Sequence, residues 1–163
     1  MGQHTTGVIL ALDVGAKRIG VAVSDALGVL ATPRPVIIRR STQAALEEIA
    51  RLAHAEEAAL VVVGLPISFD GQLHSQAHAV QRFAERLRKL LDVPLVYVDE
   101  TLSSVRAEER LRAVGMRPDR IRERIDSEAA AVILEEYLEQ RQQAERLAGH
   151  TAAERTNEED ETR

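Results

Sequence analysis

The sequence predicts an α/β protein in which helices flank a mixed five-stranded sheet. Two apolar segments near the N-terminus are separated by a short turn, which is typical of an antiparallel hairpin. The continuous apolar run ALVVVGLP, residues 59–66, is typical of a strand buried on both faces of a parallel sheet. Helical patterns alternate with the later strands, as crossover connections between parallel strands require.

The first part of the chain contains three predicted strands and one helix. The strands TGVILALDV, residues 6–14, and IGVAVSD, residues 19–25, are joined by the turn around AKR. A third strand is predicted around PVIIRR, residues 35–40. The segment 41–57 is predicted to be a helix, because apolar residues recur at helical spacing after a Ser-Thr cap.

The middle of the chain continues with alternating elements. The buried strand at residues 59–66 is followed by a second long helix, SQAHAVQRFAERLRKLL, at residues 75–91. Pro94 separates this helix from a short strand, PLVYVDE, at residues 94–100. A third helix is predicted over about residues 104–114, and Gly115 stops it.

An arginine-rich segment precedes the final predicted helix. We expect GMRPDRIRERI, residues 115–125, to be a loop, because Pro118 interrupts it and its arginines do not line up on one helix. The final helix is predicted to start at Asp126 or Ser127. Residues 150–163 contain no apolar residue other than alanine, so we expect a disordered polar tail there.

Composition favours one globular domain, which we assign to residues 1–149. The chain has 163 residues, of which 45% are hydrophobic, and this is enough for one domain with a core. Cysteine is absent, no signal-peptide pattern occurs, and the apolar runs are too short to cross a membrane. We therefore expect a cytoplasmic protein without disulfides. The net charge of −5 argues against wholesale coating of nucleic acid, but it is compatible with a local anion site.

Acidic residues lie where two apolar strands end and where the last helix begins. Asp13 closes the first strand, Asp99 and Glu100 close the last, and Asp126 opens the final helix. Ligands of open α/β sheets collect beyond the carboxyl ends of the strands, so we expect these acids to face one crevice. Converging carboxylates repel unless a cation lies among them, and two Mg²⁺ or Mn²⁺ ions there would act on a phosphodiester. Taken singly, each acid also fits a structural role as a turn former, an exposed strand end or a helix cap.

Four motifs in register resemble the YqgF family, also called RuvX. They are ALDVGAKRIGVAVSD, VVGLPISFDG, VDETLSSVRAEERL and IDSEAAAVILEEYL, and they cover about residues 7–140. The resemblance implies a ribonuclease H-like fold, a relationship to the RuvC Holliday junction resolvase, and a nuclease that trims the 5′ end of pre-16S ribosomal RNA. It also implies nucleic acid as substrate and ribosomal factors as partners of a monomer or homodimer. The family's acids fall on Asp13, Glu100 and Asp126, which are therefore the expected catalytic residues and the ligands of Mg²⁺ or Mn²⁺.

The chain departs from RuvC-like resolvases at two acidic positions. Their second acid ends the strand that here reads VVVGLP and carries none, so Glu100 is expected to reach in from a neighbouring strand. Those resolvases also carry an acid one turn into the final helix, where this chain has Ala129 and Ala130. Either the site has three ligands, or it binds metal weakly.

Basic residues flank the acids and are candidate substrate contacts. Lys17 and Arg18 lie in the first turn, where they would contact a phosphate as the substrate passes the first acid. Residues 101–125 hold seven arginines and four acids, a net charge of +3, which suits a polyanion that must approach carboxylates. Arg117 and Arg120 are the contacts expected there, and ion pairing along the helices is the alternative.

Three other functions fit parts of the sequence. A Holliday junction resolvase acting on branched DNA would use the same acids. Asp13 followed by glycine also resembles the first phosphate loop of actin- and Hsp70-like ATPases, but those proteins need two such domains and this chain has one unit. A non-catalytic RNA-binding ribosome-assembly factor would keep the fold and lose the chemistry. The three retained acids argue against that role, and the missing fourth acid favours it.

Overall fold

Five strands form one mixed sheet in the computed structural model. The structure describes residues 7–67, 70–100 and 103–160, with only the backbone for Ser103, Ser104, Glu123 and residues 153–160. Residues 1–6 and 161–163, where the predicted domain begins and the predicted tail ends, lie outside the described residues. The elements are β1 (Val8–Val14), β2 (Arg18–Ser24), β3 (Ala31–Ile38), α1 (Thr42–Ala55), β4 (Ala58–Leu65), α2 (Ser75–Arg88), β5 (Leu95–Asp99), α3 (Ser103–Ala113) and α4 (Pro118–Asp160).

The strand order is β3-β2-β1-β4-β5. Neighbouring strands β1, β2 and β3 pair antiparallel, whereas β4 pairs parallel with both β1 and β5. The predicted hairpin and the predicted parallel crossover units are therefore confirmed. Because β3 is an edge strand, its Pro33 and Pro35 are tolerated, since a proline there removes no bond from an interior ladder.

The two faces of the sheet are covered by different helices. Side chains alternate along each strand, so consecutive residues belong to opposite faces. The face that we call the α1/α2 face packs against α1 and α2 and holds the larger buried cluster, which includes Leu10, Leu12, Val61, Ile49 and Phe83. The other face, the α4 face, packs against α4 and buries Ile9, Ala11, Val62, Ile133 and Leu134. Helix α3 packs on α4 outside the sheet, through Ala107, Ala129 and Val132.

Helix α1 begins as the Ser-Thr signal predicts. The Ser41 side chain accepts a hydrogen bond of 3.1 Å from the backbone N–H of Ala44, so it satisfies one of the donors that a helix start leaves open.

The arginine-rich segment is helical, so the loop predicted over residues 115–125 is wrong in its greater part. Helix α4 starts at Pro118 and not at Asp126 or Ser127. Proline is well tolerated in the first turn, because its missing N–H has no partner within the helix there and its φ angle already suits a helix. Pro118 therefore starts this helix and does not interrupt one.

Helix α4 also continues through residues 150–160, where the sequence predicted a disordered tail. Alanine and glutamate make up five of residues 150–160 and have high helix propensity, so local preference supports the helix without packing. Thr151 and Ala152 are exposed, which agrees with a helix that extends away from the core. Across the described residues, no helix is long and apolar enough to span a membrane.

Candidate active site

Asp13 and Glu100 lie on the α4 face, at the carboxyl ends of β1 and β5. Asp13 pairs in register with Gly20 of β2 and shares the face of Ala11, two residues earlier. Glu100 directly follows β5, and its backbone N–H donates a hydrogen bond of 3.2 Å to the carbonyl oxygen of Leu65 at the end of β4. The sheet topology thus brings together two acids that are far apart in the sequence.

Two glycines on the same face make room for the acids. A Cβ atom added at Gly64 of β4 would lie 2.4 Å from Glu100 Oε2 and 2.5 Å from Ile133 Cδ1. A Cβ atom added at Gly20 would lie 2.0 Å from the carbonyl oxygen of Asp126. Gly64 therefore lets the Glu100 carboxylate lie across β4, which is the reach from a neighbouring strand that the sequence led us to expect. Gly20 lets α4 approach β2 closely enough to bring Asp126 to the site.

Asp13 and Glu100 form a buried carboxyl pair. Burial raises the pKa of Asp13, a hydrogen bond from Glu100 lowers it, and the charge of Asp126 raises it, with a net increase. Burial, the charge of Asp13, the hydrogen bond to Asp13 and the charge of Asp99 together raise the pKa of Glu100 to about 9. Near neutral pH, Glu100 is therefore protonated, and its carboxyl O–H donates a hydrogen bond to the Asp13 carboxylate. In the described part of the chain, Glu100 Oε2 is buried and has no hydrogen-bond partner.

Asp126 is neutralised by a cation from the first turn. Arg18 Nε lies 3.1 Å from Asp126 Oδ2, and the Asp126 side chain is 28% exposed. The next residue, Ser127, is buried and donates a hydrogen bond of 2.5 Å to the carbonyl oxygen of Arg34 in β3, which holds this turn of α4 on the sheet. Arg18, which the sequence assigned to a substrate phosphate, thus contacts the third acid.

The acids fit a divalent cation in part. Carboxylate oxygens are the ligands that Mg²⁺ and Mn²⁺ prefer, and the unpartnered Glu100 Oε2 beside Asp13 is an oxygen that such an ion would satisfy. Among the residues that the structure describes, however, no group of three or more His, Cys, Asp or Glu side chains is arranged to hold a metal ion. Asp13 and Glu100 therefore fit as a ligand pair, whereas Asp126 fits as a third ligand only after Arg18 leaves it.

Most of the arginine-rich rim forms ion pairs. The pairs are Arg106 with Glu136, Arg110 with Glu135, Arg112 with Glu108, and Arg117 with Asp119 at 3.6 Å. Arg112 pairs within α3, as the ion-pairing alternative expects, whereas Arg106 and Arg110 pair between α3 and α4. Arg117, one of the two predicted contacts in this segment, stays a predicted contact with the substrate. Arg120 lies in the first turn of α4, and Lys17 is exposed between β1 and β2.

At the position of the fourth acid of RuvC-like resolvases, this chain has alanines that are buried in the core. Ala130 is fully buried on the α4 face, and Ala129 is buried between α3 and α4. Glu128 is the nearest acid in the sequence, and its Oε1 lies 3.8 Å from Arg110 Nη1. The site thus offers three acids in the arrangement described above.

Sequence reasoning missed the two glycines that shape the site. Each interrupts an apolar strand, at IGVAV and at VVVGLP, and a glycine inside a strand often marks a close approach of other atoms. That signal was present, but the group that approaches each glycine comes from a distant part of the chain.

The strand order and the helices that cover the two faces of the sheet define a ribonuclease H-like fold. A family model described as "RuvX: Holliday junction resolvase" matches residues 7–140. The chain therefore belongs to the RuvX family.

Curated relatives support the same family. A Synechococcus protein named "Putative pre-16S rRNA nuclease" is 45% identical over 138 residues, which cover 85% of this chain and 93% of that protein. A Chloroflexus aurantiacus protein with the same name is 45% identical over 134 residues, covering 82% of this chain and 88% of that protein.

Two solved structures share the fold. RuvC of Thermus thermophilus, solved in complex with a Holliday junction substrate, has a TM-score of 0.50 and 15% identity, covering 78% of this chain and 91% of that one. The fowlpox virus resolvase, solved with Holliday junction DNA, has a TM-score of 0.51 and 12% identity, covering 82% of this chain and 97% of that one. At these identities the likeness concerns the fold.

Proposed function

We propose that this protein is a metal-dependent nuclease that hydrolyses phosphodiester bonds during 5′-end processing of pre-16S ribosomal RNA. The observation that carries the proposal is the buried pair of Asp13 and Glu100 at the carboxyl ends of two parallel strands. Burying two adjacent acids lowers the stability of the fold unless a ligand, such as a cation, compensates their charges. The names of the relatives supply the substrate class.

Asp13, Glu100 and Asp126 would hold one or two Mg²⁺ or Mn²⁺ ions. Such ions supply Lewis-acid activation of the phosphodiester and of the attacking water. For this, Glu100 must give up the proton that it shares with Asp13, and Arg18 must release Asp126. The freed Arg18, together with Lys17, would then be available to contact a phosphate of the bound strand, because both residues lie at the turn next to Asp13.

The test compares Asp13→Asn with the unmodified protein and with Asp92→Asn. Asp92 is exposed and precedes β5, at the opposite end of that strand from Glu100, so its variant controls for the loss of one negative charge. Each protein is incubated with pre-16S ribosomal RNA and Mg²⁺ or Mn²⁺, and the products are resolved on a sequencing gel. We expect Asp13→Asn to lose cleavage by about a hundredfold or more and Asp92→Asn to cleave normally.

The stability of Asp13→Asn separates a functional role from a structural one. Because removing one acid relieves a buried carboxyl pair, the melting temperature of the metal-free variant should stay the same or rise. A strongly destabilised variant would mean that Asp13 serves the fold, and the proposal would then lose its main support.

The family description supports a second candidate, a resolvase of branched DNA. The same assay with a four-way DNA junction distinguishes the two substrates. Cleavage of the junction alone would favour the resolvase, and RNA binding without cleavage of either substrate would favour a non-catalytic assembly factor. The cytoplasmic location, the ribosomal partners and the choice between monomer and homodimer stay predictions.

A further inference from the structure

We propose that a basic groove on the α1/α2 face binds a phosphate group of the substrate backbone, beside the cleaved position. The proposal rests on the proposed function, since it assumes a nucleic-acid strand at the carboxyl end of β1. The groove has a volume of about 650 Å³, and the described residues that line it include two arginines and no acid. Its polar lining consists of Gly15, Arg39, Arg40, Ser41, Thr42 and Gln76.

Arg39 is fixed in the groove by three contacts, one each from the β1–β2 turn, α1 and α2. Its Nη1 donates a hydrogen bond of 3.0 Å to the carbonyl oxygen of Gly15, and its Nη2 donates one of 3.1 Å to Thr42 Oγ1. The guanidinium also lies 4.7 Å from the ring centroid of Phe83 in α2. A guanidinium has five N–H donors, so these two bonds orient it and leave donors for a ligand. An arginine held in this way loses little conformational entropy when it binds a phosphate.

Arg39 is not neutralised by an acid. Among the described residues, the contacts of the Arg39 side chain are to a carbonyl, a hydroxyl and a ring, and no carboxylate pairs with it. Arg18 and Arg110, by contrast, pair with carboxylates. The positive charge of Arg39, with that of the exposed Arg40 beside it, therefore remains available to an anion.

Two helix starts add to the positive potential of the groove. The first residue of α1, Thr42, and the second residue of α2, Gln76, both line it. Among the described residues, the N-cap residue His74 makes no side-chain hydrogen bond to the start of α2, so the first backbone N–H groups of this helix are available to a ligand. Positive partial charge at helix starts favours anions, and here it reinforces two arginines that already line a groove.

The groove and the acids lie on opposite faces at the same end of β1. Asp13 belongs to the α4 face, and the next residue, Val14, belongs to the α1/α2 face and lines the groove. The backbone N–H of Arg39 also donates a hydrogen bond of 2.9 Å to the carbonyl oxygen of Lys17, in the turn between β1 and β2. A strand that crosses this turn with one phosphate at Asp13 therefore brings a neighbouring phosphate to the groove.

The experiment measures binding without cleavage. A fluorescein-labelled single-stranded RNA is titrated in EDTA at several salt concentrations with Arg39→Lys, Arg40→Gln and the control Arg51→Gln. Arg51 is exposed on α1 outside the groove, so its variant removes a charge without touching the lining. Arg39→Lys keeps the charge and loses the planar fork, which tests the geometry and not only the charge.

We expect Arg39→Lys and Arg40→Gln each to weaken binding by about tenfold, as the loss of one charge-assisted hydrogen bond would. The salt dependence of Arg40→Gln should also flatten by about 0.7 in log–log slope. Arg51→Gln should bind like the unmodified protein. A melting curve of each variant checks that binding is measured on folded protein, since Arg39 also joins the β1–β2 turn to α1 and α2.

Equal affinities for all three variants and the unmodified protein would overturn the proposal. So would a loss of affinity for 5′-AMP with unchanged RNA binding, because the groove would then serve a free nucleotide. The proposed nuclease activity is tested separately, because cleavage by the unmodified protein does not depend on these variants. Cleavage together with unaffected binding of Arg39→Lys and Arg40→Gln would reject the groove and keep the nuclease.

Discussion

At the scale of single residues, Glu100 has an environment that disfavours a negative charge. Its side chain lies across Gly64, next to the Asp13 carboxyl and against the apolar Ile133. Burial and the charge of Asp13 both disfavour its carboxylate, which raises its pKa to about 9 from the ordinary value of 4.5. The site therefore stores a proton that a divalent cation would displace.

This raised pKa predicts how stability depends on pH. Because the folded-state pKa lies above the ordinary value, the stability contributed by Glu100 is fully present below pH 4.5 and is lost as pH rises towards 9. Glutamine keeps the shape and does not titrate. We expect the metal-free protein to lose stability relative to Glu100→Gln across this range, by up to about 1.4 kcal/mol per pH unit. Urea denaturation in EDTA at a series of pH values measures the free energy of unfolding of both proteins.

Glu109→Gln is the matched control, since Glu109 is exposed on α3. Its stability should follow the pH profile of the unmodified protein. If Glu100→Gln follows that profile as well, the Glu100 carboxyl does not titrate in this range and the description of the buried pair is wrong.

At the scale of elements, the position of α4 on β2 decides whether Asp126 reaches the site. The missing side chain of Gly20 provides the space for this approach, because the Asp126 carbonyl oxygen lies where a Cβ atom would be. Backbone atoms stand on both sides of the contact, so neither side can move away at low cost. Farther along α4, ion pairs from α3 join Arg106 to Glu136 and Arg110 to Glu135.

Gly20→Ala should therefore separate α4 from β2. We expect it to lower the free energy of unfolding by about 1–3 kcal/mol or more, as overpacking of a tight contact does. It should also lower nuclease activity beyond the loss explained by unfolding, because Asp126 moves away from Asp13. Chemical denaturation and a cleavage assay on the folded fraction measure the two effects.

Gly149→Ala provides the same substitution on α4 where nothing lies within 4 Å of the added Cβ atom. It should leave activity unchanged and leave stability equal or higher by up to about 1 kcal/mol, because alanine favours a helix more than glycine does. If Gly20→Ala is as stable as the unmodified protein, α4 does not pack on β2 at the distance described.

At the scale of the whole molecule, the last part of α4 projects from a core that it does not help to form. Leu138 is the last residue of α4 in the buried core, whereas Leu147 is 71% exposed and Thr151 and Ala152 are exposed. The part of α4 that contributes apolar surface to the buried core thus ends at Leu138. The groove and the acids both lie around the carboxyl end of β1.

Removal of residues 150–163 tests this organisation. We expect the free energy of unfolding to change by less than about 0.5 kcal/mol, because alanine is the only apolar residue type that the segment contains. The helical circular dichroism signal per molecule should fall, since residues 150–160 are helical in the structure. An unchanged signal would instead support the disordered tail predicted from composition, and a large drop in melting temperature would show that the segment packs on the domain.

The sequence by itself determined the element order and the sheet class, and it proposed the three acids as site residues. These features depend on local patterns: apolar periodicity, the Ser41 cap, and motifs such as LDVG and IDSEAA that occur within short stretches. It was less accurate where two local rules conflict. Pro118 and the apolar-poor tail suggested irregular structure, whereas first-turn tolerance of proline and the helix propensity of alanine and glutamate prevailed.

Only the tertiary structure decided which groups meet. The proton shared by Asp13 and Glu100, the pairing of Arg18 with Asp126, and the contacts that orient Arg39 in the groove are made between segments that are distant in the sequence. Strand order places β5 beside β4, and the glycines at positions 20 and 64 set how closely other groups approach. Such contacts depend on how closely two elements pack, and a shift of well under an ångström can make or break them. No local pattern encodes this spacing, because the same motifs are compatible with several packings of the sheet.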